Sequence, residues 1–235
     1  IEKFGRDETI KAVVIRIDSP GGGVAPSQEI YGAIIELKKK KKVVASMGSV
    51  SASGGYLISC AADKIVANPG TVTGSISAIM HFANAEELMK KIGLKGSVIK
   101  SGKFKDIGSP LREMTEEEKA IIQGLIDDIY EQFLEVIILN RKIPKEELIK
   151  IADGRVFSGR QAKQLKLVDE IGDLNYAVRL AASISGIKEK PETVYPAKKK
   201  STFFDLVFQD ISAALSMHLK EKSTGLSGVN YLYQP

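Results

Sequence analysis

Residues 12–17 read Ala-Val-Val-Ile-Arg-Ile, a β-branched run too apolar to leave either face in water. Such a run predicts a strand buried on both sides, as in a parallel sheet. It stops at Asp18-Ser19-Pro20-Gly21-Gly22-Gly23, which can continue neither a strand nor a helix. Pro26 suits the first turn of a helix. Ile30, Ala33, Ile34 and Leu37 then recur at helical spacing as far as a lysine run at 38–42. The rhythm repeats. Residues 43–47 predict a strand, 48–52 a small-residue turn, 53–62 a helix and 64–67 a short strand. A turn at Asn68-Pro69-Gly70 leads through Thr73-Gly74-Ser75 to an apolar stretch over 76–82. Asn84 caps a helix to Lys91, and 94–100 predicts another strand. Strands alternating with helices mean an α/β fold with a mainly parallel sheet.

From residue 101 the strand signal thins into a helical C-terminal part. Thr115-x-x-Glu118 and Ser158-x-x-Gln161 are capping boxes. The first opens a long helix whose buried face is expected to carry Ile121, Ile122, Leu125, Ile126, Ile129, Phe133, Leu134 and Ile137. Pro144 starts another helix, and 174–184 is a third. The division that follows is a catalytic-size domain over 1–185, a linker over 186–200, and an amphipathic helix with a polar tail over 201–235. No repeat of fixed period is present.

Composition narrows the class. The chain has 235 residues, 43% hydrophobic and 27% charged, the mix of a folded globular protein. One cysteine, Cys60 in Tyr-Leu-Ile-Ser-Cys-Ala-Ala, makes no intrachain disulfide and reads as a small core residue. With two histidines, His81 and His218, and no Cys/His cluster, no metal site is expected. The net charge of +5 comes largely from the runs at 38–42 and 198–200. No aromatic residues alternate with these lysines, so a helix end and a linker explain them better than nucleic acid. No apolar run reaches the roughly 20 residues of a membrane span. The chain opens on Ile1 and a polar segment running straight into a strand, which reads as a truncated start.

Chemistry concentrates in three places. The glycines at 21–23 free backbone N–H groups to approach a ligand. Taken alone, the loop is open between a tight turn, an oxyanion hole and a phosphate cradle, although the sequence matches neither standard phosphate-binding glycine pattern. Ser53, in Ser51-Ala52-Ser53-Gly54-Gly55-Tyr56, sits at a strand-to-helix turn like a nucleophile elbow. An N-capping role is the alternative. His218 and His81 are poor partners for such a serine, which leaves a lysine base. A lysine brought from about 10.4 to neutrality costs roughly 4–5 kcal/mol, which only burial or nearby positive charge supplies. Lys105, in Lys103-Phe104-Lys105-Asp106-Ile107, follows a predicted strand and has apolar neighbours. Asp106 must then point away from it, since a close carboxylate would hold the lysine charged. Lys103 is the local rival.

Several segments in order now resemble the signal peptide peptidase A (protease IV) family of Ser–Lys proteases, in its short single-domain form. They are DSPGGG at 18–23, GSVSASGGY at 48–56, AADKIVA at 61–67, TGSI at 73–76, KSGKFKDIGSPLREM at 100–114 and ADGRVFSGRQAKQLKLVDEIG at 152–172. The resemblance implies a crotonase/Clp-protease-like β-β-α superhelix. It implies Ser53 as nucleophile, Lys105 as general base and Ser75 as the serine that orients the lysine. The N–H of Gly22 belongs to the oxyanion hole, with Gly54 as second donor. Gly21 and Gly23 would line the groove for substrate, or for a tail carrying Tyr231, Leu232 and Tyr233. The family implies no cofactor, peptide substrates that are remnants of signal peptides, and no nucleic acid. It further implies an eight-subunit dome with sites shared between neighbours, and a single-pass N-terminal membrane anchor, expected to be missing from this chain, holding the catalytic domain on the extracytoplasmic side. Family members also carry further strands ahead of Ala12, taken as removed here. A crotonase-type acyl-CoA enzyme and a catalytically silent membrane scaffold are the competing readings.

Overall fold

The apolar run near the start of the chain becomes the first strand of a curled sheet in the computed structural model, which describes residues 1–196 and 230–232. A short helix α1 (Glu2–Arg6) precedes β1 (Ala12–Ser19). Then come β2 (Gly21–Gly23), α2 (Val24–Lys38) and β3 (Lys42–Ala52). The lysine run has a structural use. Lys38 closes α2, and the Lys41 ammonium donates to the carbonyls of Asp7 and Ile10.

β3 organises the sheet. One edge pairs in parallel with β1, from Ala12 opposite Lys42 to Ser19 opposite Ser51, with an irregularity between Ile17 and Ser19. The other edge serves two strands in succession. β4 (Lys64–Ala67) pairs with Val44–Ser46, and β5 (Val72–Gly74) pairs with Val50–Ala52, both parallel. The sheet therefore splits along β3. It continues from β5 to an antiparallel β6 (Val156–Ser158), and from β4 to a parallel β7 (Glu170–Ile171). This is a mixed α/β, mostly parallel, Clp-protease-like architecture, as the sequence predicts.

The period of two along β3 sorts its side chains. Val43, Ala45 and Met47 enter the main core with Ile34, Phe133 and Ile137. Val44 and Val66 point the other way, beneath Ala177 and Ala181 of α8 (Leu174–Ile184). Both faces are covered, so the strands are apolar throughout. Each fully buried large side chain contributes about 1.5–3 kcal/mol.

The remaining helices are α3 (Gly54–Ser59), α4 (Glu86–Lys91), α5 (Glu116–Arg141), α6 (Lys145–Ile149) and α7 (Gly159–Gln164). Both capping boxes are made, at Thr115–Glu118 and Ser158–Gln161. Asn84 accepts from the N–H of Glu86, but it stands one residue ahead of the N-cap, Ala85.

Four expectations are corrected. Residues 48–52 are not a turn but the second half of β3, because β1 and β5 supply ladders on both edges there. Gly21–Gly23 does continue as a strand, because an antiparallel partner at Asn230–Leu232 (β8) is available. Residues 94–100 form no strand. No ladder among the described residues reaches them, and Ile99 is fully exposed. The buried face of α5 is shorter than its apolar stripe. Ile129, Phe133, Leu134 and Ile137 are buried, whereas Ile121 and Leu125 are exposed. Ile122 and Ile126 line an open groove of about 410 Å³ with Ala78, Ile79 and Phe82. Among the described residues, no packed layer covers Ile121 and Leu125 in the first turns of α5. The amphipathic helix predicted over 203–219 lies outside the described residues, and 187–196 carry neither helix nor strand.

Candidate active site

The turn from β3 into α3 places Ser53 in an unusual backbone conformation, φ 53 and ψ −118. A non-glycine residue there costs about 1–3 kcal/mol and persists only when its surroundings over-determine it. They do here. The Ser53 N–H donates to the Gly74 carbonyl at 2.8 Å, and the Leu57 N–H donates to the Ser53 carbonyl at 2.9 Å. Gly55 lets the end of β1 approach the helix start, because a Cβ on it would stand 2.8 Å from the Ser19 carbonyl oxygen. Tyr56, fully buried, donates its hydroxyl to the Leu167 carbonyl at 3.0 Å.

The Ser53 side chain makes no capping bond, which removes the N-cap alternative. Its Oγ is buried and is the one such side-chain atom without a hydrogen-bond partner among the described residues. Other buried hydroxyls nearby are engaged. Ser51 pairs with Ser59, Thr73 donates to the Ser51 carbonyl, and Thr71 donates to the Gly48 carbonyl. An unsatisfied buried hydroxyl costs about 1–3 kcal/mol. Strain and an unmade bond on one residue mark a position kept for a ligand rather than for stability.

Ser75 lies alongside. Gly74 is paired with Ala52, so the next residue on each strand is Ser75 and Ser53. Ser75 is also buried and also at positive φ, 51, with its N–H donating to the Arg155 carbonyl at 2.8 Å. The glycine strand β2 completes the wall. Gly21 has φ 111, open to glycine and rarely to other residues. Gly21, Gly22 and Gly23 face Leu232, Tyr231 and Asn230 across an antiparallel ladder. α3, whose first residue is Gly54, packs against both β2 and β8. The serine turn, the glycine edge and a peptide strand thus share one locality. Tyr233 lies outside the described residues.

Lys105 is not brought to Ser53 within the chain. It sits in a run of turns, with its N–H donating to the Gly102 carbonyl at 3.1 Å. Its side chain is exposed, and its ammonium makes no hydrogen bond or ion pair among the described residues. Lys103 is committed elsewhere, to Glu117 and over the Phe104 ring at 5.0 Å. Asp106 does turn to other partners. The Arg112 guanidinium holds it by two bonds, at 2.9 and 3.0 Å, and the Lys100 ammonium adds a third. Those cations keep the Asp106 carboxyl well below the usual carboxylate range. Arg112 also binds Glu118, which lies at about 2 for that reason and because it accepts the Thr115 N–H. Sequence reasoning missed Arg112. Its only local signal is its six-residue spacing from both Asp106 and Glu118.

His81 is exposed, and no group of metal-ligating side chains occurs among the described residues. Behind the site, burial pushes the Cys60 thiol up to about 12 and the Tyr56 hydroxyl well above its usual range. Both stay protonated in the folded chain, whereas the unfolded chain releases these protons from about pH 8.5 and 10. The folded state binds more protons in that window. Its stability is fully present below about pH 8.5 and is lost as pH rises toward 12, at about 1.4 kcal/mol per unit per group. Denaturant titrations of the reduced protein between pH 8 and 11 check this. Cys60→Ala should lose about 1.4 kcal/mol less than wild type per unit between roughly pH 9 and 10.

A sheet divided around one long strand, with its serine turn at that strand's end, belongs to the Clp-protease-like class of α/β proteins. Sequence comparison carries the assignment further. Residues 35–188, more than half the chain, match the family described as Peptidase family S49. The chain is 48% identical over 185 residues to slr0021 of Synechocystis sp., named as an inferred protease, covering 79% of this chain and 67% of that one. It is 35% identical over 219 residues to Protease 4 of Haemophilus influenzae, covering 92% and 35%. It is 34% identical over 207 residues to the chloroplastic serine protease SPPA of Arabidopsis thaliana, covering 88% and 29%. The chain belongs to peptidase family S49, the signal peptide peptidase A family, and is a peptidase.

Proposed function

We propose that the chain is a serine endopeptidase with a Ser53–Lys105 dyad, acting on remnant signal peptides at or near a membrane. The observation that carries the proposal is the strained, buried and unpartnered Ser53 hydroxyl at the strand-to-helix turn. A neutral Lys105, oriented by Ser75, takes the Ser53 proton as Oγ attacks a peptide carbonyl. The N–H groups of Gly22 and Gly54 receive the charge developing on oxygen. Lys105 returns the proton to the leaving amine as the C–N bond breaks. Water, deprotonated by the same lysine, then cleaves the acyl-enzyme ester and restores Ser53.

Since the Lys105 ammonium has no partner among the described residues, the base is supplied by a neighbouring copy in a ring-like assembly, of eight subunits by the family's pattern. Exposed apolar residues in the same part of the chain support self-association, namely Leu88, Ile92, Leu94, Val98 and Ile99. The antiparallel ladder on Gly21–Gly23 is a mode in which an extended substrate would bind, with the tail at 231–232 occupying it as an internal ligand. Membrane attachment would come from a segment outside this chain and place the site on the extracytoplasmic side. No helix among the described residues is long and apolar enough to cross a membrane.

A fluorophosphonate probe tests the nucleophile. We expect one label per chain, on the peptide containing Ser53, together with cleavage of a fluorogenic peptide bearing a small aliphatic P1 residue. Absence of both in assembled protein overturns the serine reading. Thermal stabilisation by CoA in their place supports the acyl-CoA alternative.

A further inference from the structure

We infer that Arg112 is a positioning residue for this reaction, which by clamping Asp106 against Glu118 keeps the one adjacent carboxylate away from Lys105. The inference rests on the Ser53–Lys105 reading and adds to it the device that lets Lys105 serve as a base.

The argument starts from a conflict in the sequence. Lys105 must lose its proton to act, yet its neighbour Asp106 carries a negative charge that would retain it. The fold resolves this by occupying the carboxylate. Arg112 Nε donates to Asp106 Oδ2 at 2.9 Å and Nη2 to Oδ1 at 3.0 Å, the bidentate geometry that only a guanidinium offers. The far side of the same guanidinium reaches Glu118, through Nη1 to Oε2 at 2.8 Å and through Nη2 to Oε1. Glu118 is only 3% exposed and is itself locked by the Thr115 N–H at 2.9 Å as the second half of the α5 capping box. The clamp is therefore anchored on the rigid start of a 26-residue helix.

The other charges facing the loop are also spoken for. Lys100 binds Asp106 and the Lys103 carbonyl. Lys103 binds Glu117 on α5, and on the α4 side Glu86 takes Lys90 and the Glu113 N–H. Asp106, Glu117, Glu118 and Glu86 each thus have a cation or backbone donor other than Lys105. For Asp106, Glu117 and Glu118 that partner is a cation.

The test uses the assembled, full-length chain and the pH profile of kcat/KM for the fluorogenic peptide. In Arg112→Met the released Asp106 carboxylate should hold Lys105 charged. The acid limb of the profile should move up by about one unit or more, with activity near neutrality falling roughly tenfold and recovering at higher pH. Adding Asp106→Asn to that variant should move the limb back. Arg112→Lys, which keeps a charge but cannot span both carboxylates, should fall between and serves if Arg112→Met does not fold. A uniform loss at every pH that Asp106→Asn leaves uncorrected would mean a merely structural role and overturn the inference, as would an unchanged limb. Lys105→Ala run alongside separates the two levels. If it is inactive while the Arg112 variants keep the wild-type profile, only the clamp is wrong. If it stays active, the dyad reading falls and the clamp with it.

Discussion

Ser53→Ala should abolish peptide hydrolysis, lowering kcat/KM by roughly 10⁵-fold or more, the scale lost when a serine nucleophile is removed from a hydrolase. The same substitution should leave the fold intact and its stability unchanged or higher. The Oγ makes no hydrogen bond, so its removal deletes an unsatisfied buried group worth about 1–3 kcal/mol. Alanine keeps a Cβ and therefore the strain of φ 53, so no gain is expected from the backbone. A catalytic collapse with an unchanged or higher Tm is the signature of a residue held for chemistry. If hydrolysis survives in Ser53→Ala protein free of wild type, another residue is the nucleophile. If Tm falls by many degrees, Ser53 is structural.

Lys105→Ala should cost about 10³–10⁴-fold in kcat/KM, the upper range for removal of a general base. Lys103→Ala should stay near wild type, because that lysine is engaged by Glu117 on the surface. The sharper result comes from mixing two inactive proteins. Ser53→Ala retains Lys105, and Lys105→Ala retains Ser53. If each site takes its serine and lysine from neighbouring copies, co-refolding the pair in equal amounts restores about one quarter of the sites. If each site is built within one chain, the mixture stays dead. An active Lys105→Ala protein would remove the base assignment altogether.

Much of the fold was legible because its signals are local. A capping box needs four residues, and Thr115–Glu118 and Ser158–Gln161 both form. β4 and α8 occupy the predicted residues because short β-branched runs and a 3.6-residue stripe are read within the segment itself. Where the readings failed, the deciding contact came from far along the chain. Small residues at 48–52 suggested a turn until β5 and the end of β1 supplied two ladders. Residues 94–100 have the composition of a strand, but no described segment pairs with them. Ile121 and Leu125 continue the helical stripe past the edge of the core they were expected to enter.

The candidate site divides the same way. The sequence alone singled out Ser53 by its glycine neighbours, the Gly21–Gly23 edge by its composition and Lys105 by its motif, and it foresaw that Asp106 must turn away. Tertiary structure decided that Ser53 is strained and unpartnered, because the Gly74 carbonyl and the tight approach of Ser19 to Gly55 fix its backbone from two other strands. It also decided what Asp106 turns toward, through an arginine anchored on the first turn of α5. Residue type and spacing specify what chemistry a chain carries. Strain, isolation of a hydroxyl and disposal of a charge depend on groups distant in sequence, so they exist only once the chain has closed on itself.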